Sequence, residues 1–427
     1  MKTLKVGMLG CGNVGSQIAR LLVANKADLA SRSGAQLELV KVAVKDIKAK
    51  RDGIATSLLT DDPYSVVNDP EIDLIIEVIG GISPAKELIL AAFKNGKSVV
   101  TANKALLAKE GAALYQAAGE ANVDLYYEAA VAGAIPILRP LRESLVGDHV
   151  TRIMGIVNGT TNYILTKMDE SGTAFVDALK QAQELGFAEA DPTADVEGID
   201  ASDKAAILAG LAFHSRVTDK DVYREGITKI TATDVKVAKA MDMVIKLLAI
   251  TELTASGEIS VRVHPALISR THPLASVRES FNAVFVEAQS AGQMMFYGKG
   301  AGGEPTASAV LGDLVAIARH KVLGGIGPKE SDYASLKIAP MGETKTRYLI
   351  RLNVADKPGV LESVAHVFAS QSVSIQTVRQ TGAGDKAELI IMTHTSTESA
   401  LSATVKELGK LPAVTDVASV LRVEGAI

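Results

Sequence analysis

Lys5-Val-Gly-Met-Leu-Gly-Cys-Gly-Asn-Val-Gly15 decides how the chain begins. A short β-rich run ends at Gly10, and a helical pattern follows from Asn13 to Asn25. The three glycines have separate uses. Gly10 permits a tight turn, Gly12 the close approach of a pyrophosphate, and Gly15 the contact of helix on strand. The helix N-terminus favours phosphate charge. Cofactor contacts are therefore expected from Gly10, Gly12, Asn13, Val14 and Gly15. The alternative is a glycine-rich turn without a ligand.

Working outward, residues 1–135 alternate β-rich and helical runs. Further strands are expected at Leu37–Val44, Asp73–Ile79, Ser98–Thr101 and Val123–Glu128, with helices near Ala85–Lys94 and Ala105–Ala121. Such alternation implies parallel pairing in a doubly wound α/β sheet. Residues 136–323 read as an α+β substrate and dimerisation domain. It has helices at Pro136–Ser144 and Thr160–Gly186 (broken at Gly172), and an amphipathic helix at Asp234–Ile250. Strands are expected at Arg152–Val157, Ile259–His264 and Ala283–Ala288, and a helix returns from about Thr306 to Leu323. Residues 324–346 form a Gly/Pro-marked linker. Residues 347–427 follow a βαββαβ order, the split-βαβ arrangement.

Composition narrows the class. The 427 residues are 47% hydrophobic, with formal charge −4 and one cysteine. Mean hydropathy is +0.20 and the pI is near 6.0. Nothing suggests a nucleic-acid binder, because no basic stripe with interleaved aromatics occurs. Charged residues interrupt every apolar run before membrane-spanning length. A lone cysteine excludes an internal disulfide framework and fits a cytoplasmic location. Cys11 lies in the glycine turn as a small packing residue, so thiohemiacetal chemistry has no nucleophile. The seven histidines show no metal-ligand spacing.

Residues 189–204, Glu-Ala-Asp-Pro-Thr-Ala-Asp-Val-Glu-Gly-Ile-Asp-Ala-Ser-Asp-Lys, set six carboxylates and a lysine before an apolar stretch. Asp200 and Lys204 are four apart and share a helix face. Acids and an amine at the mouth of a buried helix suit a small amine-bearing substrate. The alternative makes Asp200 a cap and Lys204 an exposed first-turn residue. With cysteine and metal excluded, lysine is left as acid/base. It needs burial or a second cation to lose its proton near neutrality. Lys104, in Thr101-Ala-Asn-Lys104 after the fourth strand, can be that cation. At the end of the second strand Lys45 stands where NAD-selective sites place an acid, with Lys48, Lys50 and Arg51 beyond. This cluster can accept a 2′-phosphate, so NADP is favoured and NAD stays possible. A solvated basic loop is the alternative for Lys50 and Arg51.

In combination these segments resemble the homoserine dehydrogenase family, of the monofunctional bacterial type with a C-terminal ACT domain. The resemblance runs through Gly10–Gly15, Thr101–Lys104, Glu128–Pro136, Val157–Tyr163, Gly186–Lys204 and Gly300–Gly303, and through Asp356-Lys-Pro-Gly-Val-Leu361 for the ACT domain. No kinase block precedes the glycine turn, so a bifunctional aspartokinase version is not expected. The resemblance implies NAD(P)-dependent interconversion of L-homoserine and L-aspartate 4-semialdehyde, in threonine, methionine and isoleucine biosynthesis. It implies Lys204 as acid/base, Asp200 as its orienting partner, and Lys104 in contact with substrate and cofactor. Glu189 and Asp195 would bind the substrate ammonium, and Gly159 and Thr160 would close the pocket. Asp191 and Glu197 would support the loop, Asp203 would be solvated, and Gly80 and Gly302 would add cofactor contacts.

The same resemblance implies a monovalent cation, sodium in particular, held by the Glu128 side chain and the carbonyls of Val131, Gly133 and Ile135. A strand-to-helix turn stopped by Pro136 is the competing reading. L-Threonine is the expected effector at Asp356, Gly359, Val373 and Ile375, in a homo-oligomer (dimer or tetramer). An ACT domain that only oligomerises is the alternative there. Two rival functions stand beside this one: another Rossmann dehydrogenase of amino-acid metabolism, and a non-catalytic sensor of nucleotide and amino acid.

Overall fold

The computed structural model describes residues 1–51, 53–330, 332–382 and 387–425. The chain forms two compact units, each assembled from separated segments. The first comprises Met1–Gly159, Asp200–Val222 and Ser280–Leu336. The second comprises Thr160–Ile199, Tyr223–Glu279 and the chain from Lys337 onward.

In the first unit, strands β1 (Lys2–Leu9), β2 (Ala35–Ala43), β3 (Leu59–Thr60), β4 (Leu74–Glu77), β5 (Ser98–Thr101) and β6 (Leu125–Tyr126) form one sheet in the order β3-β2-β1-β4-β5-β6. Every pairing is parallel. The order reverses between β1 and β4, the switch point at which such sheets hold ligands beyond their carboxyl ends. Val6, Met8, Ile76 and Val100 from the strands, with Ile18 and Leu22 from helix α1 (Asn13–Ala24), pack against Leu314 and Val310 of the returning helix Gly303–Leu323. The strand Val150–Ile156 pairs antiparallel with Phe281–Ala288, which also pairs with Gly292–Lys299.

The second unit contains the βαββαβ block expected from residues 347–427. Its strands Lys345–Val354, Ile375–Thr381, Ala387–Thr393 and Val414–Val423 pair so that the first is central, with the third on one side and the fourth on the other. Helices Val360–Ser370 and Glu398–Leu408 cover one apolar core through Val364, Phe368, Leu401 and Leu408. The last strand also pairs with Ile259–Ser269.

One expected element is overturned. Asp234–Ile250 is not a single helix. Helix Ala232–Ala240 carries a capping box from Thr231 to Asp234, and Asp242 adopts φ 55°. Strand Met243–Leu253 then pairs antiparallel with Ile259–Ser269. Its first nine residues are all buried. A strand covered on both faces reads as a continuous apolar run, which periodicity does not distinguish from a buried helix. Strand β6 is also shorter than the expected Val123–Glu128, because Glu128–Ala130 forms a 3₁₀ turn.

Candidate active site

The glycine turn fits a pyrophosphate. Gly10 has φ 99°, and a Cβ there would lie 2.7 Å from the Val78 carbonyl oxygen. A Cβ on Gly15 would meet the Gly10 oxygen at 2.5 Å, whereas one on Gly12 would meet nothing within 4 Å. The turn is therefore closed on its protein side and open over Gly12, where α1 begins with Asn13 and Val14. Gly302 (φ 122°) caps the returning helix, and Gly303 sits so close that a Cβ would lie 2.6 Å from Asn13 Oδ1. Two helix N-termini thus converge beside the turn, an arrangement that favours an anion. Gly80 (φ 72°) belongs to the loop after β4. Its amide and that of Ile79 donate to Glu77 Oε1 at 3.1 and 2.9 Å. Thr101 Oγ1 donates to the other oxygen of Glu77 at 2.5 Å. This buried carboxylate ties the ends of β4 and β5 together and shapes the Gly80 loop, a role not read from the sequence. Lys45 is exposed just past β2. Arg51 lies over the glycine turn: its Nη1 donates to the carbonyls of Asp46 and Ala49 at 2.8 Å, and its Nε to that of Cys11 at 3.4 Å.

A second cluster lies at the start of helix Ile199–Ala212. Lys204 Nζ donates to Asp200 Oδ2 at 2.7 Å and to the Val157 carbonyl at 2.6 Å. Asn158 Nδ2 donates to the same Oδ2 at 2.9 Å, and Lys104 Nζ reaches Asp200 Oδ1 at 2.9 Å. Lys104 opens the helix Lys104–Ala121, whose N-cap Asn103 accepts from the Leu106 amide. One carboxylate therefore bridges two ammonium groups. Lys204 is only 7% exposed, so it is not the exposed first-turn residue of the competing reading. Burial pushes the Asp200 carboxyl up, but the charges of Lys204 and Lys104 outweigh it and hold the group well below the usual carboxylate range.

Asp203 is not solvated, as expected above; it is 6% exposed. This helix is buried around its whole circumference and offers its first-turn acids no solvent face. Burial, then the charges of Asp200 and Asp219, push the Asp203 carboxyl up to about 6.

Gly159 opens the helix Gly159–Ser171, and a Cβ there would lie 2.6 Å from the Ser280 carbonyl oxygen. Thr160, in the second unit, donates through Oγ1 to the Phe187 carbonyl at 2.5 Å. Asp195 lies on the four-residue helix Thr193–Val196 of that unit, and Glu189 is exposed before it.

Glu128 is buried, and its carboxylate accepts the amides of Ile137, Leu138 and Arg139 at 2.6, 2.7 and 2.9 Å. This is the strand-to-helix turn of the competing reading. The loop after it curls: Ala132 and Gly133 have φ 55° and 57°, and a Cβ on Gly133 would meet the Gly300 oxygen at 2.4 Å. The carbonyls of Val131, Gly133 and Ile135 lie along this curl. Asp313, 185 positions away, accepts from the Glu128 amide at 2.7 Å. Burial, then the charge of Glu128, push the Asp313 carboxyl up to about 8 against the pull of Arg139.

In the βαββαβ block, Asp356 accepts from Gln380 Nε2 at 3.1 Å. Gly359 (φ 85°) caps helix Val360–Ser370, Val373 is buried, and Ile375 opens the following strand.

A parallel sheet whose glycine turn fits a pyrophosphate, with a buried lysine–carboxylate pair met by a second lysine in the same unit, defines a dinucleotide-binding enzyme of the oxidoreductase class. Comparisons carry the assignment further. Family models match in chain order: homoserine dehydrogenase NAD binding domain over residues 10–128, homoserine dehydrogenase over 136–315, and ACT domain over 348–413. A homoserine dehydrogenase of Corynebacterium glutamicum is 54% identical over 423 residues, covering 98% of this chain and 95% of that protein. The crystal structure of a homoserine dehydrogenase from Thiobacillus denitrificans superposes with a TM-score of 0.94 at 40% identity, covering 99% of each chain. A hyperthermophilic archaeal homoserine dehydrogenase in complex with NADPH has a TM-score of 0.65 at 28% identity, covering 77% of this chain and all of that one. The chain belongs to the homoserine dehydrogenase family and carries an ACT domain.

Proposed function

We propose that this chain interconverts L-homoserine and L-aspartate 4-semialdehyde, with NADP preferred and NAD usable. The observation that carries the chemistry is the Lys204–Asp200–Lys104 bridge, in which Lys204 and Asp200 are buried and Lys104 is half-exposed. One carboxylate between two ammonium groups leaves one positive charge in excess, which favours release of a proton from the cluster. Lys204 takes the hydroxyl proton as the alcohol becomes an aldehyde and returns it in reduction. Asp200 and the Val157 carbonyl fix the direction of its Nζ. A bound nicotinamide supplies the hydride acceptor. Gly10, Gly12, Asn13, Val14 and Gly15 hold the pyrophosphate, with Gly80 and Gly302 beside them, and Lys104 reaches both ligands. Glu189 and Asp195 hold the substrate ammonium, and Gly159 and Thr160 line the pocket. Preference for NADP rests on Lys45 and on Arg51, whose guanidinium is already anchored over the glycine turn.

The curl at Val131, Gly133 and Ile135, with Glu128, suits a monovalent cation as a structural support. The ACT domain suits L-threonine as an inhibitor, held near Asp356, Gly359, Val373 and Ile375, in a cytoplasmic homo-oligomer. No helix among the described residues is long and apolar enough to cross a membrane.

The test is direct. Purified protein with L-homoserine and NADP should form reduced nicotinamide, faster at alkaline pH because the base must be neutral. Absence of turnover with both NADP and NAD overturns the reading. Millimolar L-threonine should lower the rate, and indifference to it removes the effector assignment.

A further inference from the structure

Within the second unit, one arginine of the ACT domain reaches a segment far from it in sequence. Arg422 lies on the strand Val414–Val423 and is 7% exposed. Its Nη1 and Nη2 donate to Glu225 Oε2 and Oε1 at 2.8 and 3.1 Å, a two-pronged fork. Nη2 also reaches the Tyr223 hydroxyl at 3.1 Å, and Nε and Nη2 hold Glu398 at 3.2 and 2.5 Å. Tyr348 donates to the same Glu398 at 2.5 Å, and the guanidinium carbon lies 5.2 Å from the centre of the Tyr223 ring. Every guanidinium nitrogen is committed to this cluster. A lysine in its place would keep the charge and lose the fork.

Glu225 belongs to a short ledge, Tyr223–Ile227. Tyr223 and Arg224 pair with Arg262 and Val263, and the Glu225 amide donates to the Val263 carbonyl at 2.8 Å. On its other side the ledge carries the segment Asp195–Gly198. The Ile227 amide donates to the Val196 carbonyl at 2.8 Å, and Thr228 Oγ1 to Glu197 Oε1 at 3.0 Å. Gly226 presses so closely on this segment that a Cβ would lie 2.3 Å from the Val196 oxygen and 2.6 Å from Glu197 Cα. Gly198 (φ 75°) folds back over the Glu225 carbonyl, 3.4 Å from where its Cβ would stand. Two backbones at this separation move together, since no side chain lies between them to absorb a shift.

We infer that Glu225, clamped by Arg422 of the ACT domain, is a positioning residue for the Asp195–Gly198 segment, so that the ACT domain sets the affinity for the amino-acid substrate. The inference rests on the assignment of Asp195 to the substrate ammonium. Loss of the clamp frees the ledge and displaces Asp195, which weakens substrate binding without touching the Lys204 cluster or the glycine turn.

The test compares steady-state kinetics of the full-length wild type with Glu225→Ala, Glu225→Gln and Arg422→Lys, with thermal unfolding measured alongside. The expected result is a rise of about tenfold in KM for L-homoserine, with kcat and the KM for NADP within about twofold. A merely structural role would lower Tm and active fraction, and with them kcat, but not this KM. If Glu225→Ala and Arg422→Lys both keep the wild-type KM for L-homoserine, the inference is overturned; should Glu225→Ala fail to fold, the isosteric Glu225→Gln is read in its place. Asp195→Asn separates the two claims. If it raises this KM and the clamp variants do not, the clamp fails and the Asp195 assignment stands. If the clamp variants raise it and Asp195→Asn does not, the clamp stands and acts through another group of the segment.

Discussion

Asp200 and Asp313 are two buried carboxylates in one unit, both stripped of water, and they titrate in opposite directions. Asp200 lies between Lys204 and Lys104 and is held well below the usual range. Asp313 shares Arg139 with Glu128, the guanidinium Nε standing 3.4 Å from each, and is pushed up to about 8. Desolvation raises both. The local charge count decides the outcome: two cations to one carboxylate in the first cluster, one cation to two carboxylates in the second. The first carboxyl stays ionised, and the second keeps its proton. That difference separates the proposed site of proton transfer from a structural joint, although both combine a burial signal with a shifted carboxyl.

The largest effect expected from breaking the contrast is in the first cluster. Lys204→Ala should cut kcat by about 10²-fold or more while cofactor binding, followed by nicotinamide fluorescence, persists. A variant near the wild-type rate would return the cluster to a structural role. Asp200→Asn should destabilise the fold by about 3 kcal/mol in urea unfolding at neutral pH, because it leaves the buried Lys204 ammonium without its counter-charge. Asp313→Asn should be nearly neutral at the same pH, since a neutral amide oxygen can still accept the Glu128 amide. Equal losses in the two variants would dissolve the distinction.

The pH dependence gives a smaller effect. Asp313 has a folded value near 8, above its ordinary 3.8, so the folded chain keeps a proton that the unfolded chain releases. Its contribution to stability is complete below about pH 4 and declines as the pH rises towards 8. Asp200, with its depressed value, behaves in reverse: its contribution is present above about pH 4 and lost on further acidification. Between pH 6 and 8 the wild type should therefore lose about 2 kcal/mol that Asp313→Asn does not lose. Parallel stability curves would show that Asp313 is ionised throughout. The smallest effect is expected at the cofactor end. Arg51→Ala should raise the KM for NADP a few-fold and leave that for NAD unchanged, and an equal change in both would remove Arg51 from the 2′-phosphate.

Much of this architecture was legible before folding. The alternation of β-rich and helical runs in residues 1–135 implied a parallel sheet, and helix Ala85–Lys94 falls where the pattern placed it. The Asp200/Lys204 pair was legible because both residues lie on one helix turn, where spacing alone implies contact. The strand Met243–Leu253 was not, because burial on both faces erases the alternation that marks a strand. Glu77 carried a faint signal, an acid closing an otherwise apolar strand. Asn158 sat inside a recognised motif without a role. Asp313 carried no signal, since its partner Glu128 is 185 positions away.

The amino-acid order alone thus determined the domain types, the glycine turn and the pairing of Lys204, the proposed acid/base, with Asp200, because each depends on neighbours within a few residues. Tertiary structure alone decided which carboxylates lose their protons and which keep them. It also buried Asp203, expected in solvent, and joined Arg422 to Glu225 across 197 positions. The reason is physical: a charge responds to what surrounds it in space, and desolvation and counter-charge are set by chain segments that the local pattern does not bring together.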